Sequence, residues 1–241
     1  MALPQRQLSS DDSGGFEPQR LKLWPVTYWL VTLNVILYIM QFTSRGVVTE
    51  WGDFSPEKAI YSLQIWRFIT FQFLHFSPLH LLLNMAALYY FGNFVEARLG
   101  PKRYLGFYLI CGICGALFYL AMWRMGFIKP GAMIGASAGI FGVLLAVVHI
   151  APRMVLPLAF PRRPVRVQTL ALIFIAASVA TILFKGPNAG GEAAHLGGAF
   201  AGWVIIRNRF WLNVFDKRFR ARPRFWSPRD PTTSFFRDLP R

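Results

Sequence analysis

The sequence predicts an all-α polytopic membrane protein: six spans in a bundle, with both termini cytoplasmic. Three observations carry this. Hydrophobic residues make up 54% of the 241 residues and charged residues only 15%, against about a quarter charged in soluble domains. The charges are also confined, leaving uncharged stretches between Lys22 and Arg45, Arg67 and Glu96, Arg103 and Arg124, Lys129 and Arg153, Arg166 and Lys185, and Glu192 and Arg207. A hydrocarbon core of roughly 30 Å needs about 20 helical residues, which five of these stretches supply. Finally, the basic residues are unevenly placed. With the N-terminus inside, the outer segments hold only Arg45, Lys58, Arg67, Arg124, Lys129 and Lys185 out of 26 Lys and Arg. Cytoplasmic loops carry the excess of such residues, so the net charge of +15 reads first as topology.

Along the chain, residues 1–22 read as a polar, disordered cytoplasmic tail, 23–208 as the six-span membrane domain, and 209–241 as a basic cytoplasmic tail. The first tail has no apolar run or small-residue cleavage site, which makes the first span an uncleaved anchor. The segment from Thr43 to Phe76 mixes Trp51, Phe54, Tyr61, Ile65 and Trp66 with polar residues and suits the outer interface. Pro78 fits the first turn of a helix, so the second span is expected from about Leu79 to Phe91. His80 and Asn84 then share one face at its outer end. The third span carries Cys111 and Cys114, expected to pack as small apolar residues. The fourth opens with Gly135-Ala136-Ser137-Ala138-Gly139. The sixth, with 14 uncharged residues from Ala193 to Ile206, extends only about 21 Å at 1.5 Å per residue. Its outer end is therefore expected below the membrane surface. Small residues recur every fourth position in the fourth span (Ala138, Gly142, Ala146) and the sixth (Ala194, Gly198, Gly202), a pattern that lets helices pack closely.

Polar residues inside lipid are costly and usually kept for function. Ser137 borders the first stripe and His195 the second, both at the outward end of parallel spans. Serine needs a base within hydrogen-bond reach, and His195 is the candidate. No Asp or Glu lies between Glu96 and Glu192; Glu192, three residues before His195, could in principle orient the imidazole but is expected at the helix N-terminus, which favours a Ser–His dyad. The oxyanion donors are His80, Asn84 and the Ser137 backbone N–H, which opens a helix. Phe141, one turn below Ser137, is placed to pack on the His195 ring. His75 is either an interface residue or a supporting partner. No metal site is expected, because His75 and His80 lack a carboxylate at ligand spacing, and the dyad calls for no cofactor.

Several strings together resemble the rhomboid family of intramembrane serine proteases: Trp66-Arg67-x-x-Thr70, His75-x4-His80-x3-Asn84, Gly92-x-x-Val95-Glu96-x3-Gly100-x-x-Arg103, Gly135-Ala136-Ser137, Gly139-Ile140-Phe141-Gly142 and Ala194-His195-x-x-Gly198-x3-Gly202. The resemblance implies Ser137 as nucleophile, His195 as general base, and His80, Asn84 and the Ser137 N–H as oxyanion donors. It also implies a rhomboid-like six-helix bundle with a water-filled outward cavity, gated by the fifth span and a lid over 186–191. Gly135 and Gly198 support the site in these strings. Ala138 departs from the second glycine common after the serine, and alanine still permits close packing.

The expected activity is hydrolysis of peptide bonds in or near the transmembrane segments of single-span or polytopic membrane proteins. A non-catalytic chaperone or trafficking factor that binds transmembrane helices is the alternative, and a transporter is disfavoured because the interior lacks charged coupling residues. The C-terminal tail, basic and interleaved with aromatic residues, suits anionic lipid headgroups rather than nucleic acid. A bacterial inner membrane, with the site open to the outer side, is the expected location.

Overall fold

A computed structural model describes residues 25–157 and 164–208. The expected tails, 1–22 and 209–241, lie outside the described residues. Among these, the architecture is helical, with one small hairpin. Helix α1 (Val26–Thr43) is followed by an irregular segment containing α2 (Val47–Gly52), a π-turn at Glu57–Tyr61, α3 (Arg67–Thr70) and a 3-10 turn at Phe71–Phe73. Then come α4 (Pro78–Ala87), a π-turn at Leu88–Gly92, α5 (Asn93–Leu99), α6 (Pro101–Arg124) and α7 (Ser137–Ile150). Strand β1 (Val155–Pro157) pairs antiparallel with β2 (Pro164–Arg166), after which α8 (Val167–Leu183) and α9 (Ala189–Arg207) complete the fold.

By length and composition alone, α1 and α6 qualify as membrane spans, while α7 and α8 are apolar but shorter. The boundaries differ from those expected. The second helical rod does not stop near Phe91: its backbone stays helical from Pro78 through the π-turn to Leu99. Helix α9 has 19 residues rather than 14, because it starts at Ala189 and takes Glu192 into its first turn. The 14-residue helix is α7 instead. Residues 189–191 of the expected lid are thus helical.

Local chemistry explains several ends. Ser77 caps α4, its Oγ accepting from the His80 backbone N–H at 3.2 Å, and Pro78 occupies the first turn. Glu96 performs the same service for α1 at long range: its carboxylate accepts from the backbone N–H groups of Val26 (2.7 Å) and Thr27 (2.9 Å) and from the Thr27 hydroxyl (2.7 Å). A negative charge on the N-terminus of a helix is favourable. In the segment after α1, buried Asp53 accepts from Arg67 (2.5 Å) and Lys58 (2.9 Å), and the Trp51 and Trp66 rings stack at 5.4 Å.

The centre is built by α6, α7 and α9, with α8 against α9. The two small-residue stripes meet. A side chain on Gly198 would run into the Ala138 carbonyl, and one on Gly202 into the backbone of Gly142. Outside this centre, α4 exposes Leu79, Leu82 and Leu83 and α8 exposes Leu172, Ile173 and Leu183, each by more than half. Apolar surface of that extent suits hydrocarbon rather than water.

Candidate active site

The approach to Ser137 is fixed by backbone pairing. Phe54 and Met133 exchange N–H···O bonds of 2.9 and 2.8 Å, and the Gly135 N–H donates to the Phe71 carbonyl at 2.9 Å. Phe54 and Phe71 are themselves fully buried, so the segment between α1 and α4 holds residues 133–135 in place. Gly135 then turns with φ +142°, a conformation that favours glycine. Ser137 is the first residue of α7, where backbone N–H groups have no partner within the helix.

Helix α9 presents His195 to it. His195 Nε2 lies 2.7 Å from Ser137 Oγ. The close approach of the two helices at Gly198 sets the separation, and Phe141 sets the tilt: its ring lies 4.3 Å from the imidazole at an interplanar angle of 10°. On the other side of the ring, Nδ1 lies 2.9 Å from Glu192 Oε2. A carboxylate only accepts, so Nδ1 carries a proton, and a ring with its second nitrogen unprotonated can accept the serine hydroxyl at Nε2. The expected position of Glu192 near the helix N-terminus holds. It is in the first turn of α9 and also bonded to His195, three residues on. The signal was present as Glu192-x-x-His195, since residues three apart on a helix are neighbours. Ser178 of α8, which the sequence did not single out, donates to the same Glu192 oxygen at 2.6 Å.

These groups line a cavity of about 540 Å³ together with His80 and Asn84 of α4. The Phe76 backbone N–H reaches His80 Nδ1 at 3.5 Å, a long bond that leaves the proton on Nε2. Asn84 Nδ2 is buried without an acceptor in the protein. A Cβ on Gly135 would lie 3.2 Å from His80 Nε2 and 3.4 Å from Ser137 Oγ. The missing side chain thus keeps open the space between a donor and the hydroxyl. His75 lies outside this space. Its backbone N–H donates to the Gln41 side chain at 2.9 Å, and its ring sits 5.0 Å from that of His80. Burial first, and His80 second, hold the His75 imidazole down at about 3, so it stands neutral beside the site. Among the described residues, no group of three or more His, Cys, Asp or Glu converges to hold a metal.

A hydroxyl bonded to an imidazole, beside a cavity with an unused amide donor, is equipped for acyl transfer. Comparison with known proteins gives the same direction. Residues 62–211, more than half of the chain, match the model of the Rhomboid domain. The "RHOMBOID-like protein 7" of Arabidopsis thaliana is 31% identical over 101 residues, 42% of this chain and 31% of that protein. The "Rhomboid protease GlpG" of Yersinia enterocolitica is 32% identical over 130 residues, 54% of this chain and 44% of the relative. The match to both thus spans less than half of their length. The mitochondrial "RHOMBOID-like protein 12" of Arabidopsis thaliana is 26% identical, with 90% of this chain and 68% of that protein covered.

Proposed function

The chain belongs to the rhomboid family, and from that premise we propose that it is an intramembrane serine endopeptidase acting through Ser137 and His195. Membership makes it an integral membrane protein. The observation that carries the catalytic reading is the 2.7 Å contact between Ser137 Oγ and His195 Nε2 on the wall of the cavity. In the proposed reaction the Ser137 oxygen attacks the scissile carbonyl carbon while its proton passes to His195 Nε2. The carbonyl oxygen becomes an oxyanion in the space beside Gly135, facing His80 Nε2–H, Asn84 Nδ2–H and the Ser137 backbone N–H. Collapse breaks the C–N bond, and the leaving amine takes the proton from His195. Water then attacks the acyl-serine, giving a proton to His195, and collapse breaks the acyl C–O bond as His195 returns that proton to the Ser137 oxygen and the carboxylic acid product leaves.

The membrane arrangement supports such a reaction. We read six spans in the rods α1, α4–α5, α6, α7, α8 and α9, with residues 23–208 as the membrane domain, both termini cytoplasmic, and the cavity open to the outer side. The distribution of Lys and Arg supports this orientation. A bacterial inner membrane, transmembrane segments of other membrane proteins as substrates, and anionic lipid headgroups at the basic tail complete the reading.

The test is cleavage of a single-span substrate with a glycine-containing outer end in lipid vesicles. Wild type is expected to release a fragment, and Ser137→Ala and His195→Ala to lose at least 100-fold in rate. Binding of such helices without cleavage by any folded variant would favour the chaperone reading instead.

A further inference from the structure

We propose that Glu192 is a positioning residue for His195, held in place by Ser178 from the neighbouring helix. The inference rests on the serine-protease reading and departs from its two-residue form. One oxygen, Glu192 Oε2, receives both the His195 Nδ1–H at 2.9 Å and the Ser178 hydroxyl at 2.6 Å. Ser178 is 1% exposed, so its hydroxyl is removed from solvent and committed to this bond. A carboxylate that served only the positive end of α9 would need neither contact, because any acidic side chain in the first turn has that effect. Here the first turn aims the carboxylate inward, along the same helix face as His195, and α8 supplies the second donor that fixes its rotamer.

The consequence for the imidazole is specific. Neutral histidine has two tautomers, and the hydrogen bond made by one nitrogen selects the other's state. Glu192 selects Nδ1–H, leaving Nε2 free to take the Ser137 proton. When that transfer makes an imidazolium, the carboxylate beside it offsets the new charge. The other titratable group facing His195 is His80 across the cavity on α4. Helices α7 and α8 bring hydroxyls (Ser137, Ser178), aromatic rings and aliphatic side chains to the cavity, and α6 packs on α9 with Gly115 at the Ala194 carbonyl, the Cys114 carbonyl at Gly197 and the Tyr119 ring at Gly190. Among the described residues, no second carboxylate lines the cavity to replace Glu192.

The experiment compares Glu192→Gln, Glu192→Ala and Ser178→Ala with wild type in the full chain. Initial cleavage rates give kcat and KM, and ring-15N NMR of the protein labelled at its four histidines gives the His195 tautomer. Glu192→Ala is expected to lose roughly 10- to 100-fold in kcat with KM changed little, and to shift His195 towards Nε2–H. Glutamine still offers an oxygen to Nδ1–H, so Glu192→Gln is expected to keep the tautomer and recover part of kcat. Ser178→Ala is expected to lose a few-fold. A Glu192→Ala protein that retains the Nδ1–H tautomer and wild-type kcat overturns the proposal while leaving the protease reading intact. If wild type cleaves nothing, the protease reading fails, and the catalytic role of Glu192 falls with it. An unchanged tautomer in Glu192→Ala would then also remove its hold on the ring.

Discussion

Gly135 acts through the atoms it lacks. Its φ of +142° disfavours any side chain, and a methyl there would occupy the gap between His80 Nε2 and Ser137 Oγ. Gly135→Ala is expected to leave the bundle folded and to lower kcat by roughly 100-fold or more, the scale of losing one oxyanion donor. Initial rates check this, with the thermal midpoint in detergent as a control on folding. Wild-type kcat from the alanine variant would place the oxyanion elsewhere. Ser137 and His195 were legible in the sequence because polar side chains stand out in uncharged spans. Glu192 was only partly so: its charge marks a span boundary, and its three-residue spacing places it on the His195 face without showing which group its carboxylate meets. Ser178 was hidden: a lone hydroxyl in an apolar helix usually bonds its own backbone, and only tertiary packing directs this one to Glu192.

At the level of elements, the separation between nucleophile and base is the separation between α7 and α9. That distance is set where Gly198 abuts the Ala138 carbonyl and Gly202 abuts Gly142. Gly202→Leu is expected to force the helices apart, costing about 1–3 kcal/mol by overpacking. It also lengthens the Ser137–His195 bond from a distance. Loss of activity together with a lower thermal midpoint is the expected result, and a variant with neither change would show that the helices are not in tight contact. The stripes themselves were readable from their four-residue spacing. The lengths of the rods were not. Charges record where the chain meets water or an ion partner, whereas a helix starts where backbone N–H groups find partners. Hence α7 proved the short helix and α9 the longer one.

For the whole molecule, the helical class and the family followed from composition and joint motif spacing, whereas the number and direction of spans rest on charge distribution. The orientation is tested with single cysteines at Ser62 and Arg153, both exposed, in a chain carrying Cys111→Ala and Cys114→Ala. A membrane-impermeant maleimide added to intact cells is expected to label Ser62→Cys, and Arg153→Cys only after lysis; the reverse pattern would invert the topology. The π-turn at Leu88–Gly92 acts on this same scale, because it divides one continuous rod into two rotational phases. Such a turn takes one residue more than an α-turn, and one residue corresponds to about 100° around the axis. On its N-terminal side, His80 and Asn84 face the cavity; on its C-terminal side, Glu96 faces the start of α1. The extra residue works as a gear tooth between chemistry and anchorage. Deleting it would swing Glu96 off α1 while the cavity face kept its bearing.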